Sequence, residues 1–102
     1  MSFFFIQMAD PQFGLFASFS GLAKSEVDGL KNRGLNVRMS PKITGFSKET
    51  TLYEKAISES NRLKPAFVVM CGDMVNDSDD SSQLAELRRI TDGLDDSIRM
   101  YW

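Results

Sequence analysis

The most informative absence in this chain of 102 residues is histidine, which does not occur at all. Its absence excludes Ser-His and Cys-His nucleophiles and every zinc site that uses an imidazole ligand. The single cysteine, Cys71, cannot form an internal disulfide, and one thiol is too few for a cysteine-rich zinc site. Any metal ion held by this sequence must therefore take its ligands from carboxylate, amide and backbone oxygens.

Long hydrophobic runs and blocks of like charge are also missing. The apolar start, residues 3–6, lacks the basic flank and the length of a secretory signal, and no run approaches the ~20 residues of a membrane span. With 12 basic and 14 acidic residues the net charge is −2, which predicts neither a nucleic-acid partner nor a membrane surface. Cys71 lies among apolar residues, so we expect a reduced, buried thiol and a cytoplasmic location.

What is present is the composition of one globular domain, with 42% hydrophobic and 25% charged residues. Apolar runs predict strands over 3–9, 66–71 and 98–102, the first two buried on both faces, and spacing predicts helices over 22–31, 47–62 and 83–94. Residues 15–46, punctuated by glycine, are expected to form an irregular surface excursion. This order predicts an α/β fold of parallel strands joined by crossover helices. Its parts are a strand-Asp motif (3–14), the excursion (15–46), a helix-strand-Gly-Asp unit (47–77) and a helix-strand unit (83–102).

The helix over 47–62 is the clearest of the three. Ser47 is a candidate cap, and Glu49 and Glu54 suit the positive end of the helix dipole. The apolar stripe that should pack on the sheet consists of Leu52, Ala56, Ile57 and Leu63. The helix over 83–94 is expected to begin after a polar loop, with Ser81 or Ser82 as its cap.

Acidic residues stand where the first two strands end. Asp10 follows the first strand, and Asp73 follows the second after Gly72. Parallel neighbours carry their carboxyl ends at the same edge, where open α/β sheets bind their ligands. Two carboxylates there repel each other unless a cation intervenes, so Asp10 and Asp73, with Gln12 and Asn76, form a candidate oxygen-rich metal site. The alternative is a plain α/β unit in which each acid caps a turn.

At these residues the chain resembles the calcineurin-like metallophosphoesterases. The segments "ADPQFG" and "VVMCGDMVND" are similar to the first two motifs of that family, D-x-H and G-D-x-x, with Gln12 where most members have histidine. The resemblance implies a four-layer α/β/β/α sandwich and a dinuclear centre of Mn, Fe, Zn or Mg ions. Asp10 and Gln12 would bind the first metal and Asp73 would bridge both, with Asn76 and Asp77 as outer partners. A metal-bound hydroxide would then hydrolyse phosphate monoesters, in a phosphorylated protein or a small phosphoester.

The sequence also departs from the family pattern. The G-N-H-D motif should follow the third strand, where this chain ends, and the later histidines are missing, so no complete catalytic set is present. The resemblance therefore predicts the N-terminal portion of a metal-dependent protein serine/threonine phosphatase, inactive as this chain. The alternative function is a catalytically silent binding module. An incomplete sandwich would leave a sheet face uncovered, which predicts self-association through that face.

Overall fold

A computed structural model describes residues 3–102 as a small parallel sheet with helices. The strands are β1 (Ile6–Ala9), β2 (Phe67–Cys71) and β3 (Arg99–Tyr101), and they lie in the order β1-β2-β3. In this register Met8 pairs with Met70 and Val68 pairs with Met100. The helices are α1 (Leu15–Ser18), α2 (Lys24–Asn32), α3 (Ser47–Leu63) and α4 (Ser81–Thr91). The predicted α/β class with parallel strands is confirmed.

Helices α3 and α4 pack together over one face of the sheet. Their buried side chains meet those of β2 and of the loop after β1 in one core cluster, formed by Phe13, Tyr53, Ile57, Met70, Leu87 and Ile90. Phe13 and Val68 are fully buried. The Glu54 carboxylate in α3 accepts a hydrogen bond of 2.6 Å from Arg89 in α4 and so joins the two helices at the surface. The core thus lies between the helix pair and the sheet, directly behind the carboxyl ends of β1 and β2.

The buried face of α3 differs from the predicted stripe. Leu52 is 63% exposed and Leu63 is 44% exposed, whereas Tyr53 is buried beside Ile57. The buried positions are Glu49, Tyr53, Ile57 and Ser60, which recur every three to four residues on a face rotated by about one residue from the predicted one. The Tyr53 hydroxyl lies 2.7 Å from the Thr91 hydroxyl of α4, and this polar contact allows the ring to enter the core.

The caps of α3 and α4 also differ from those expected. Helix α3 begins after Phe46 without a side-chain cap, so Ser47 does not cap it. Helix α4 is capped by Asp80, whose carboxylate accepts hydrogen bonds from the amides of Ser82 and Gln83, so neither Ser81 nor Ser82 is the cap. The hydrogen bond from the Ser82 hydroxyl, and after it those from the two amides, lower the pKa of Asp80 because they stabilise its charged form.

The face of the sheet opposite the helices is open in the part of the chain that the structure describes. Burial alternates along β1, where Gln7 and Ala9 are exposed, and along β2, where every second residue is only half-buried, so neither strand is fully buried on both faces. We call the aromatic residues Phe5, Phe67 and Tyr101 the open-face cluster. The Phe5 and Phe67 rings stack at 5.0 Å, and Tyr101 meets Phe67 edge-on at 5.7 Å. Cys71, predicted to be buried, is a free, half-buried thiol at the end of β2.

The excursion between β1 and α3 contains α1 and α2, and residues 33–46 form neither helix nor strand. Its base is closed by Ser20, which is buried and whose hydroxyl accepts a hydrogen bond from the Ile43 amide at 2.7 Å. Residues 3–102 form two layers, one of helices and one sheet, and the four-layer sandwich stays a prediction. None of the helices described within residues 3–102 has the length and apolar character needed to cross a bilayer.

Candidate metal site at the carboxyl edge of the sheet

The loops that follow β1 and β2 continue side by side beyond the strands. The amide of Asp10 donates to the Cys71 carbonyl at 3.0 Å, and the amide of Gln12 donates to the Asp73 carbonyl at 3.2 Å. Further along, the Phe13 amide donates to the Met74 carbonyl at 3.2 Å, and Phe13 forms a parallel β-bridge with Val75. This extended backbone pairing fixes the two predicted site segments against each other.

Asp10 and Asp73 are brought together by this pairing. The Oδ1 atom of Asp10 accepts a hydrogen bond of 2.9 Å from the backbone amide of Asp73. Both residues are exposed at the carboxyl edge of the sheet. Within residues 3–102 the Asp73 carboxylate itself accepts no hydrogen bond from the chain. Asp10 therefore caps the turn that follows the neighbouring strand β2 and not the turn that follows its own strand, while the Asp73 carboxylate remains available to a ligand.

Gly72 allows the close approach between the two segments. Its backbone has φ +80°, and a Cβ atom added there would lie 1.8 Å from Asp10 Oδ1. No side chain larger than hydrogen fits at this position unless the carboxylate moves. The Gly-Asp pair of the motif thus has a direct role, because glycine makes room for the acid that arrives from the neighbouring strand.

Two residues of the first loop have an unusual backbone conformation. Asp10 has φ 55° and Gln12 has φ 42°, both in the left-handed region, which non-glycine residues seldom adopt. Such strain costs on the order of 1 kcal/mol or more per residue and is concentrated at functional sites. Here it turns the chain twice within three residues, so that the Asp10 carboxylate lies over Gly72. Gln12 is half-buried beside it.

Asn76 and Asp77, the predicted outer partners, have hydrogen bonds of their own. The Asn76 side-chain amide donates to the Ser18 hydroxyl at 2.7 Å and so links the second loop to α1. The Asp77 carboxylate accepts from the Asp79 amide at 2.9 Å within its own turn. The Asp77 amide donates to the side chain of buried Gln83 at 2.9 Å, which anchors this loop to α4. Both residues thus stabilise the loop that carries Asp73.

The donor set at the edge suits a hard or borderline divalent cation. The side chains of Asp10 and Asp73 contain carboxylate oxygens and that of Gln12 contains an amide oxygen, which are ligand types that Mg²⁺ and Mn²⁺ accept. No group of three or more His, Cys, Asp and Glu side chains that could hold a metal occurs within residues 3–102. An ion here would therefore depend on the amide oxygen and on water or substrate to complete its coordination.

A buried acid next to this edge was not identified from the sequence. Glu49 is 5% exposed, and its Oε1 atom accepts a hydrogen bond of 3.3 Å from the Phe16 amide of α1. From its position in the first turn of α3, Glu49 would be expected to interact only with the helix dipole. Its burial could not be predicted, because only the tertiary structure brings α1 over it. Glu49 lines a cavity of about 370 Å³ that also reaches Asp10 and Gln12.

Comparison with known proteins adds one relative. The sequence is similar to serine/threonine-protein phosphatase CPPED1 from Rattus norvegicus, with 36% identity over 76 residues that cover 72% of this chain. The matched part is 20% of the rat protein, so the chain spans about a fifth of the length of this relative. No family model matches the chain, and no solved structure matches it significantly. The similarity indicates a phosphatase-like origin.

Proposed function

We propose that this chain is the N-terminal portion of a metal-dependent phosphoesterase of the calcineurin-like kind, with Asp10, Gln12 and Asp73 as metal ligands. The observation that carries the proposal is the hydrogen bond of 2.9 Å that joins Asp10 Oδ1 to the Asp73 amide above Gly72. It brings two acids from separate strands to one edge of the sheet. The similarity to a serine/threonine-protein phosphatase supports the same assignment.

A divalent ion at this edge would relieve the repulsion between the two carboxylates and would polarise the oxygens of a phosphoryl group. The chain itself contributes the ligand oxygens and a rigid frame. Asp10 and Gln12 are fixed by their amide hydrogen bonds to β2 and its loop. The phosphorylated residue of a protein or a small phosphate monoester is the substrate class that we propose for the whole protein, and the ion would be Mn, Fe, Zn or Mg.

The 102-residue polypeptide should bind metal weakly and show little turnover. It contains no histidine, so it has no imidazole to protonate a leaving group. We also propose a cytoplasmic location, because a free, half-exposed thiol such as that of Cys71 is typical of reducing compartments.

The test is a titration with Mn²⁺, monitored by paramagnetic broadening of the backbone amide signals. We expect broadening around Asp10 and Asp73 first, and its loss in Asp10→Asn, because asparagine keeps the hydrogen bond and tolerates the left-handed backbone but removes the charge. Asp28→Asn, at an exposed position of α2, is the matched control. The same samples should show little or no hydrolysis of p-nitrophenyl phosphate. Broadening elsewhere, or turnover equal to that of the intact rat relative, would contradict the proposal.

A second candidate function is favoured by the open-face cluster. Phe5 is 50% exposed and Tyr101 is 49% exposed on the same face of the sheet. Aromatic side chains grouped on an exposed surface are typical of protein interaction sites. The chain would then act as a binding module, either for a partner or for a second copy of itself.

A further inference from the structure

The cavity beside the candidate metal site has apolar walls contributed by separate elements. Met8 and Met70 come from the sheet, Phe16 from α1, and Leu52 and Tyr53 from α3. Its volume of about 370 Å³ lies within the range of small-molecule sites in proteins. A half-open apolar pocket of this size next to an exposed acidic edge is suited to a small organic ligand.

The two charged side chains that line the cavity are both acidic. Glu49 and Asp10 line it, and no lysine or arginine is among its lining residues. The Glu49 side chain is almost wholly buried, yet it takes part in none of the ion pairs that the structure describes between residues 3 and 102. Its one described hydrogen bond comes from the neutral Phe16 amide. A buried carboxylate without a cation is costly, so a positively charged ligand would be stabilised there.

The cationic residue next to Glu49 in the chain, Lys48, does not form an ion pair with the Glu49 carboxylate. The Lys48 ammonium lies 5.9 Å from the centroid of the Phe16 ring, where it makes a cation-π contact. The aromatic rings of Phe16 and Tyr53 in the wall would favour a ligand with a flat apolar body, which is bulkier than the stem of a lysine side chain.

We propose that this cavity binds a small arylalkylammonium ligand, with the apolar body between α1, α3 and the sheet and the ammonium group on the Glu49 carboxylate. The ligand is a free small molecule and not a lysine side chain of a protein. This inference goes beyond the proposed function, because it depends on Glu49 and the cavity and needs no metal.

The probe is 2-phenylethylammonium, titrated into the 102-residue chain in the presence of EDTA and followed by amide chemical shifts. Shifts should centre on the lining residues of α1 and α3. The isosteric 2-phenylethanol lacks the charge, and 3-phenylpropionate reverses it. A charge-assisted hydrogen bond to a buried carboxylate should make the ammonium bind at least about tenfold more tightly than the alcohol. The propionate should not bind.

Glu49→Gln removes the charge but keeps an oxygen that can accept the Phe16 amide, so the fold should be retained, as thermal melting can verify. In this variant the ammonium and the alcohol should bind equally. Glu26→Gln, at an exposed position of α2, is the control and should keep the tenfold preference. Equal binding of the two probes to the wild-type chain would overturn the proposal, as would tighter binding of Nα-acetyl-lysine amide. Because EDTA removes metal, failure here would leave the metal-binding proposal untouched.

Discussion

At the scale of single residues, the carboxyl edge depends on a glycine that faces an acid from the next strand. Gly72 has φ +80°, and its missing Cβ is the space that Asp10 Oδ1 occupies. The strained backbone of Asp10 and Gln12 is held by hydrogen bonds to β2 and to the loop that follows it. Sequence change at Gly72 should therefore alter the position of an acid that lies more than sixty residues away in the chain.

Gly72→Ala should destabilise the chain by about 2 kcal/mol, because alanine disfavours a positive φ and its methyl group would displace the Asp10 carboxylate. The same variant should lose the Mn²⁺ broadening near Asp10. Urea unfolding measures the first effect and the Mn²⁺ titration the second. Gly29→Ala in α2 is the matched control, since no atom lies within 4 Å of the added Cβ. It should raise stability by about 0.5–1 kcal/mol. A Gly72→Ala variant with unchanged stability and unchanged Mn²⁺ broadening would contradict the close packing of Gly72 against Asp10.

At the scale of elements, the contact between α3 and α4 contains a directed pair of hydroxyl groups. The Thr91 hydroxyl donates to the Leu87 carbonyl at 2.7 Å, so the Tyr53 hydroxyl, which lies 2.7 Å from Thr91 Oγ1, is the donor of the second bond. Burial raises the pKa of the Tyr53 phenol. The folded state therefore favours the neutral phenol more strongly than the unfolded state does.

Tyr53→Phe should cost about 0.5–1.5 kcal/mol at neutral pH through the lost hydrogen bond. Because the folded-state pKa of Tyr53 is raised, its contribution is fully present below the unfolded pKa of about 10 and is lost as the pH rises through the folded value. The wild type should thus lose its advantage over the variant in alkaline buffer. Urea unfolding at neutral and alkaline pH measures this difference. Tyr101→Phe, on the open face, should change stability by less than about 0.5 kcal/mol.

Helix α3 also shows which features the sequence determines by itself. Its existence, its end before Pro65 and the strand that follows it are predicted by local patterns of apolar residues and by the proline, whereas its start at Ser47 was predicted from a cap that Ser47 does not make. Its buried face does not, because Leu52 and Tyr53 are adjacent and both apolar, and the Thr91 hydroxyl on another helix decides between them. Glu49 is similar, since α1 covers it only in the folded chain.

In the candidate site, too, some features could be predicted from the sequence and others depend on tertiary contacts. The topology rule for parallel strands was enough to predict that Asp10 and Asp73 share an edge. It was not enough to predict that Asn76 would bond to Ser18 in the excursion, since no periodic pattern in residues 15–46 indicates where that segment returns. Capping by Asp80 was missed for a local reason, because several neighbouring acids and serines in that loop are equally good caps.

At the scale of the whole molecule, the chain is more extended than a compact domain of its length. Its radius of gyration is 16.5 Å and its longest dimension is 55 Å. A compact domain of about 100 residues has a radius of gyration of about 13 Å. The excursion accounts for part of the difference, and the sheet has helices on one face only within the described residues. The open-face cluster is therefore an apolar surface that no helix covers within residues 3–102.

The wild-type chain should self-associate through this surface as its concentration rises, which sedimentation velocity can detect. Phe5→Ser should weaken the association by at least about tenfold, the effect of withdrawing one phenylalanine side chain from a buried interface. Phe19→Ser is the control, because Phe19 is 56% exposed but lies in the excursion. A wild type that stays monomeric at every concentration, with a sharp melting transition, would count against both the association and the binding-module alternative.

The bridge between Phe13 and Val75 has a mechanical consequence. Phe13 is fully buried, and both its backbone amide and its backbone carbonyl are hydrogen-bonded to the loop that carries Asp73. The Phe13 ring packs against the rings of Phe46 and Tyr53, at centroid distances of 5.7 and 6.0 Å, so it cannot follow a moving surface loop without disturbing them. The carboxyl edge of the sheet and the core behind it are thus mechanically coupled. A ligand that displaced Asp10 or Asp73 would also have to displace core side chains, so the edge should be rigid.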